Sequence, residues 1–404
     1  MNSDTTEGSN YIKEIIKNAF GSYWRKCNES DFILPLSGKC YNESGMMLTG
    51  IESLETLWLT GLTNEYKNMR DKISKSVVCD KSKYYVVNDV AVRVIGSLLS
   101  IFGMTNDKMY FNKAMECGEV LLDAFKNDIG YPIISNQIPK SYPWMDGIII
   151  SESSGFITEF ILLSLISKNN KFKNIALKYL KCLENIITKF KNIPYVLSTE
   201  NCAIIGNSFG FNIYTASFVS DIIRTHIIYP SSSSYNILKT IFETLDKILK
   251  NKDEFDTSFC KIRYLIHDLK DRDLYDLLVK FYDKTGKYCD GSIKDNLPMN
   301  SGYFNFDNFL IKDDGFNFDS NQLIEDLYDG KNFNNLSFIN KLNYTQCGNL
   351  QCSLLKQNPL IFEDFMPPES ISKWFKFLYI LNNSIEIEKY IVNNAGHLLP
   401  KFYK

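Results

Sequence analysis

Along this chain apolar residues recur at three- and four-residue spacing in one segment after another, and short polar links separate the segments. The spacing predicts helices over Tyr11–Tyr23, Gly50–Gly61, Tyr66–Ser76, Asp89–Phe102, Asn106–Phe125, Ser154–Ser167, Phe172–Phe190, Asn212–Ile228, Tyr235–Leu249, Arg272–Thr285 and Ser370–Leu381. Gly103 stands where a C-cap is expected for the fourth of these. Strand-like alternation is sparse, with Val86–Val87 and Tyr131–Ile134 the short candidates. The run Ser231–Ser234 and the segment Asn251–Asp256 read as surface loops. Residues 287–350, rich in Asn, Asp, Gly and Phe, read as long loops. Consecutive helices on short links imply an all-α, α/α arrangement. No internal repeat aligns, so periodicity leaves a closed barrel and an open helical array equally available.

Composition narrows this little. A chain of 404 residues holds two or three average domains or one large repeat-built one, and no domain boundary stands out. The expected organisation is a disordered 1–10 followed by one domain over 11–404. The 24 Tyr and 28 Phe suit a large core, and exposed aromatic rings suit stacking on sugars. A net charge of −2 with scattered Lys and Arg gives nucleic-acid binding no electrostatic support. No unbroken apolar window reaches membrane-spanning length. The first residues lack both a basic region and an apolar one, so no export signal is visible. The ten Cys include no C-x-x-C pair, and zinc spacing is absent. Disulfides and buried thiols both fit the count.

One stretch carries more information than its periodicity. Met46–Leu62 is an apolar helix with Glu52 and Glu55 three apart on one face, which by itself reads as a core helix with a solvated acidic edge. It follows Tyr23-Trp24 and Asp31-Phe32-Ile33-Leu34-Pro35-Leu36-Ser37. Together these segments resemble the opening of the class I α-1,2-mannosidases, glycoside hydrolase family 47. That family shows an aromatic first helix, an Asp-Glu-Leu-x-Pro loop and a helix reading Leu-Thr-x-Ile-Asp-Ser-Leu-Asp-Thr-Leu-Trp. Both helix aspartates are glutamates here.

Further blocks extend the resemblance. Asp89-Val90-Ala91-Val92-Arg93-Val94-Ile95-Gly96-Ser97-Leu98-Leu99-Ser100 is similar to the family's Phe-Glu-x-x-Ile-Arg-x-Leu-Gly-Gly-Leu-Leu-Ser. On local grounds Asp89 is a dipole-favoured helix-start acid or an i,i+4 partner of Arg93. The resemblance makes Asp89 a proton donor and Arg93 a substrate contact. Glu152, in Ser151-Glu152-Ser153-Ser154-Gly155, reads locally as part of a helix cap and by resemblance as a cavity acid. Glu200, in Thr199-Glu200-Asn201-Cys202, is a surface-loop acid or the counterpart of a catalytic aspartate. His267, Asp273 and Asp276 fall on a family histidine, a base and a second acid, or form a charged helix start. Towards the end the pattern degenerates. Pro367 and Lys373 replace family glutamates, and Glu369 is the acid left to contact substrate. Asn394 replaces the threonine that holds Ca²⁺ in the family, with oxygens that suit a hard cation. His397 reads as a packed, hydrogen-bonded histidine.

The resemblance implies an (α/α)7 barrel plugged by a short C-terminal β-hairpin. It implies inverting hydrolysis of terminal α-1,2-linked mannose, with catalytic Asp89, Glu200 and Asp273, and with Arg93, Glu152, His267, Asp276 and Glu369 on the substrate. Inversion needs two carboxyl groups about 6.5–9.5 Å apart. It also implies bound Ca²⁺ at Asn394, a high-mannose glycan or glycoprotein as partner, a monomer, and residence in the endoplasmic reticulum or Golgi lumen. The Asp/Glu exchanges move carboxylates by roughly one C–C bond, which keeps open a catalytically weakened, lectin-like glycan binder. A helical scaffold without a glycan role is the third possibility.

Overall fold

The computed structural model describes residues 3–127, 129–248, 262, 265, 268–289, 346–347, 350–351, 354–356, 361–362 and 364–401. The chain divides into two compact units, one of Met1–Val78, Ile293–Tyr390 and Ala395–Leu398, the other of Cys79–Ser292, Ile391–Asn394 and Leu399–Lys404.

In the first unit the Leu48–Leu59 helix is buried from Leu48 to Leu57 on every side. A helix buried on every side must be enclosed by other elements, and it packs on a π-helical turn, Ser370–Phe375, that runs into the helix Lys376–Asn382. The flanking helices bury one stripe only: Tyr66, Met69 and Ile73 in Thr63–Lys75, and Ile12, Ile15, Ile16, Ala19, Phe20 and Tyr23 in Ser3–Cys27. The first helix thus begins eight residues before the expected Tyr11 start. Asp31, fully buried, organises the entry to Leu48–Leu59. Its Oδ2 accepts the backbone N–H groups of Glu43, Ser44 and Gly45 at 2.7–2.9 Å, and its Oδ1 accepts those of Met46 (2.7 Å) and Leu48 (3.3 Å). The Asp-x-x-x-Pro segment expected as a loop holds a strand, Phe32–Leu34, paired antiparallel with Lys39–Tyr41.

The second unit repeats this inner-and-outer logic. Val87–Thr105 and Ile157–Ser167 are mostly buried. Lys171–Phe190 and Ser232–Ile248 are amphipathic; the first lies against Ile157–Ser167 and the two lie against each other. Ile213–Ile228 packs on Ile157–Ser167, and Arg272–Cys289 on Ser232–Ile248. The expected Ser154–Ser167 helix is two pieces, Ile150–Ser154 and Ile157–Ser167, split at Gly155-Phe156. A Cβ at Gly155 would lie 1.9 Å from Asn88 Oδ1, so glycine lets this break lie close against the start of Val87–Thr105. The Ser231–Ser234 run is a cap rather than a free loop. Ser231 N–H donates to Ser234 Oγ (3.2 Å) and Ser234 N–H to Ser231 Oγ (3.1 Å), which satisfies exposed helix-start donors. Small sheets complete the unit. Tyr84–Val86, Ile133–Ser135 and Ile138–Lys140 form three antiparallel strands. The two-residue turn Asn136-Gln137 takes positive φ at both positions (48° and 64°), as a tight hairpin requires. Near the C-terminus Tyr390–Val392 and Leu398–Pro400 form a two-stranded sheet.

Three disulfides join described cysteines: Cys27–Cys40, Cys79–Cys117 and Cys182–Cys202.

Candidate active site

The second unit gathers two of the expected site acids. Gly147–Ile149 pairs antiparallel with Val196–Ser198 and leads directly into Ile150–Ser154, which carries Glu152. The strands come so close that a Cβ on Gly147 would lie 2.6 Å from the Leu197 carbonyl oxygen. Glu152 lines a cleft with Asn88, Tyr131, Tyr142, Ser153 and Phe156. The Tyr142 hydroxyl donates to Glu152 Oε2 at 2.8 Å. Burial pushes the Glu152 carboxyl above the usual range. The Asp89 charge pushes the same way, and the Tyr142 hydrogen bond opposes both. Asp89, half-buried near the start of Val87–Thr105, therefore acts electrostatically on Glu152 and on Tyr142. Two carboxyls whose surroundings act on each other's ionisation are the kind of arrangement acid–base chemistry uses. Arg93 is buried one turn further along, within a π-helical turn spanning Val90–Ile95.

Sequence reasoning missed Tyr142 and Trp144. The Trp144 ring stacks on Tyr142 (centroids 4.8 Å apart, planes at 15°) and is 63% exposed. An open indole face beside a cleft carboxylate suits the apolar face of a sugar. The signal available was the pair of aromatics itself, two apart in Tyr142-Pro143-Trp144.

The other expected residues are placed differently. Glu200 is exposed on the loop after Val196–Ser198, where its N–H donates to Ser198 Oγ (3.2 Å) and the Cys182–Cys202 disulfide ties that loop to Lys171–Phe190. Asp273 and Asp276 are exposed in the first turns of Arg272–Cys289. Asp271 caps that helix by accepting the N–H groups of Asp273 (3.1 Å) and Leu274 (3.3 Å), while Tyr235 Oη lies 3.5 Å from Asp273 Oδ2. The structure does not draw these acids into the hydrogen bonds of the Glu152 cleft. His267 lies outside the described residues.

A second polar group is buried in this unit. Arg224 Nη1 donates to Asp221 Oδ1 (3.0 Å) and to Asn394 Oδ1 (2.7 Å). Asn394 Nδ2 donates to Asp221 Oδ1 (2.8 Å), Ser220 Oγ reaches Asn394 Oδ1 (3.3 Å), and Ser154 Oγ donates to Asp221 Oδ2 (2.7 Å). A guanidinium only donates and a carboxylate only accepts, so the Asn394 amide has one consistent orientation. Beside this group Asn393 Nδ2 donates to the Val92 carbonyl (2.8 Å) and to Glu159 Oε1 (3.0 Å). Burial raises Glu159 to about 8 and Asp221 to about 6, with Arg224 lowering both. The Ca²⁺ expected at Asn394 does not fit this donor set. A hard cation wants roughly 6–8 oxygen ligands turned towards it, whereas the Asn394 side-chain oxygen is already turned towards a fixed positive charge. Among the described residues there is no group of three or more His, Cys, Asp or Glu able to hold a metal ion.

In the first unit Glu52 and Glu55 are fully buried, which corrects the reading of a solvated edge. Ser372 Oγ donates to Glu52 Oε2 (3.3 Å). Lys376 Nζ donates to Glu55 Oε1 and to the Gly396 carbonyl (2.5 Å). Burial holds Lys376 well below the usual lysine range, and Glu52 pulls it back up. The Leu398 N–H donates to Glu55 Oε2 (3.2 Å), and His397 Nδ1 lies 3.4 Å from Glu55 Oε1, so His397 is the packed, hydrogen-bonded residue expected. Glu369 is buried at the head of the Ser370–Phe375 turn, and Lys373 is buried within it. The first helical bonds there run from Ser370 and Ile371 to the carbonyls of Pro367 and Pro368, so the prolines do build the helix start.

The fold class is all-α, that of the α/α-barrel glycosidases. The α-1,2-mannosidase from Trichoderma reesei superimposes with a TM-score of 0.74 over 98% of this chain and 99% of that one, at 14% sequence identity. The chain belongs to Glycosyl hydrolase family 47, whose sequence profile matches residues 15–274. That match includes Asp89, Arg93, Glu152, Glu200 and Asp273, and it ends before Asp276, Glu369 and Asn394. A mannosyl-oligosaccharide 1,2-α-mannosidase of Caenorhabditis elegans is 25% identical over 250 residues, which are 58% of this chain and 42% of that protein. The human endoplasmic reticulum mannosyl-oligosaccharide 1,2-α-mannosidase is 24% identical over 195 residues, 47% of this chain and 28% of that protein. The matched region thus spans less than half the length of these relatives.

Proposed function

We propose that this chain is a mannosyl-oligosaccharide 1,2-α-mannosidase that removes terminal α-1,2-linked mannose from high-mannose N-glycans with inversion. The observation that carries the reading is the Glu152 carboxyl in its cleft, with the Asp89 charge acting on it, within the part of the chain that matches the family. In this reading Glu152, Arg93 and Trp144 bind the terminal sugars. Asp89 serves as the acid and acts through its position beside the cleft. Glu200 and Asp273 supply the remaining carboxylates, and Asp276 contacts substrate. Protonated and ionised carboxyls are both needed, because the leaving oxygen takes a proton while water loses one.

The lumen of the secretory pathway is the proposed location. The three disulfides support it, since such bonds persist where the surroundings are oxidising. The name of the human relative, an endoplasmic reticulum mannosidase, points to the same compartment.

The test is to incubate the purified chain with a high-mannose glycan and to quantify free mannose and its anomeric form. Release of mannose of inverted configuration is expected, with loss of release in Asp89→Asn. Glycan binding without release would replace the enzyme with a lectin-like barrel, and neither binding nor release would sink both.

A further inference from the structure

We propose that the Arg224 guanidinium takes the place of a divalent cation in this chain, as a built-in positive charge that pins the Asn393-Asn394 segment to the helices around it. The inference goes beyond the mannosidase reading and does not depend on it.

Three observations carry the proposal. The first is placement. Arg224 and Asp221 are three apart on Ile213–Ile228, so both project from one face of that helix, and both are buried (3% and 5% exposed). Their side chains and that of Asn394 close a triangle of hydrogen bonds, Arg224 to Asp221, Arg224 to Asn394 and Asn394 to Asp221. The position between the Asp221 and Asn394 oxygens, where a cation shared by the two would sit, is held by a guanidinium nitrogen.

The second observation is reach. Through these bonds the segment is fixed to four stretches of helix in the same unit. Asp221 and Arg224 tie it to Ile213–Ile228. Ser154 ties Ile150–Ser154 to Asp221. Asn393 ties it to the Val92 carbonyl and to Glu159 of Ile157–Ser167. The approach of Asn393 is close enough that a Cβ on Gly96 would lie 2.4 Å from its Nδ2. This cross-linking is what a bound metal ion supplies when its ligands come from several helices. Here side chains alone supply it.

The third is charge. Arg224 stays protonated under any condition in which the fold survives. A divalent ion entering the same space would face that charge at contact distance in a dry environment, where Coulomb repulsion is weakly screened. Binding would first require the guanidinium to leave a site in which its contacts are already made. Glu159 and Asp221 are the acids that face this segment, and Arg224 is the cation whose charge acts on both.

The experiment uses the full chain with its disulfides intact, stripped with chelator and then dialysed. Calorimetric titration with CaCl2 should give no saturable heat, and the thermal midpoint should be the same in excess EDTA as in millimolar Ca²⁺. Saturable Ca²⁺ binding, or a midpoint that rises with Ca²⁺ and falls with EDTA, overturns the proposal. The pinning role is read separately by amide hydrogen exchange. Arg224→Met should accelerate exchange at residues 391–394 on the order of tenfold or more, and Arg224→Lys, which keeps the charge, by less. Unchanged exchange in Arg224→Met also overturns it. If that variant does not fold, the wild-type titration still decides. Mannose release plays no part in either readout, so loss of the mannosidase reading would leave this inference standing.

Discussion

The Tyr142 hydroxyl holds the Glu152 carboxylate at 2.8 Å while the neighbouring Asp89 charge pushes the same carboxyl towards its protonated form. Removing the hydroxyl removes the one influence that favours ionisation. In Tyr142→Phe the Glu152 carboxyl should therefore take up its proton at a higher pH than in the wild type, and the acid limb of the mannose-release profile should move to higher pH. Stability should fall by about 0.5–1.5 kcal/mol, the usual worth of one hydrogen bond. An acid limb that stays in place would mean that Glu152 is not the carboxyl that limits activity at low pH.

Lys376 and Glu55 form a fully buried ion pair whose members are 321 residues apart. Lys376→Met leaves the Glu55 carboxylate buried without its cation, with the Leu398 N–H and His397 still near it, and should cost roughly 3–5 kcal/mol in urea unfolding. The double variant Lys376→Met/Glu55→Gln removes both charges and should recover much of that loss. Equal destabilisation in the single and double variants would mean that packing at Lys376, not charge, sets the effect.

Glu159 gives a pH dependence with a definite sign. Unfolded, it releases its proton near the ordinary 4.5, whereas folded it keeps it up to about 8. Between those values the folded state binds more protons, so stability falls as pH rises from about 4.5 to about 8, by on the order of a few kcal/mol in all. Glu159→Gln keeps an oxygen for Asn393 but cannot titrate. Its unfolding midpoint relative to the wild type should therefore be higher at about pH 8 than at about pH 5. Parallel curves across that range would count against a protonated Glu159.

Asp31 gathers five backbone N–H groups on one carboxylate. Asp31→Ala strands these donors at the entrance to Leu48–Leu59, and the loss should exceed ~3 kcal/mol, well above a typical single substitution. Limited proteolysis should then cut within residues 43–47, and cleavage no faster than in the wild type would show that the loop is held by other contacts.

How much of this was readable in advance differs by element. The inner helices announced themselves because a segment apolar on every side, such as Ile157–Ser167, leaves few alternatives to burial within helices. Short strands such as Gly147–Ile149 were lost among those runs, since three residues carry no measurable alternation. Asp89 and Glu152 could be named because each sits in a recognisable block, but their electrostatic coupling depends on a fold that brings two distant helix starts together. Glu52 and Glu55 looked like a wet edge because nothing near them in the chain hints at Lys376. Asp221 and Arg224 carried no flag at all: an acid and a base three apart on a helix is the commonest of surface pairs, and only burial makes it structural.

The two π-helical turns, Val90–Ile95 and Ser370–Phe375, bear on how relatives should be compared. A π turn accommodates one residue more than the α-helix around it, so it is a place where a helix can gain or lose a residue while both flanks keep their packing. Residues before and after such a turn belong to separate registers. Glu369 stands on one side of the second turn and Lys376 on the other, with Lys373 inside it. A gapless comparison through the turn can therefore pair the wrong residues while every flanking apolar position still matches.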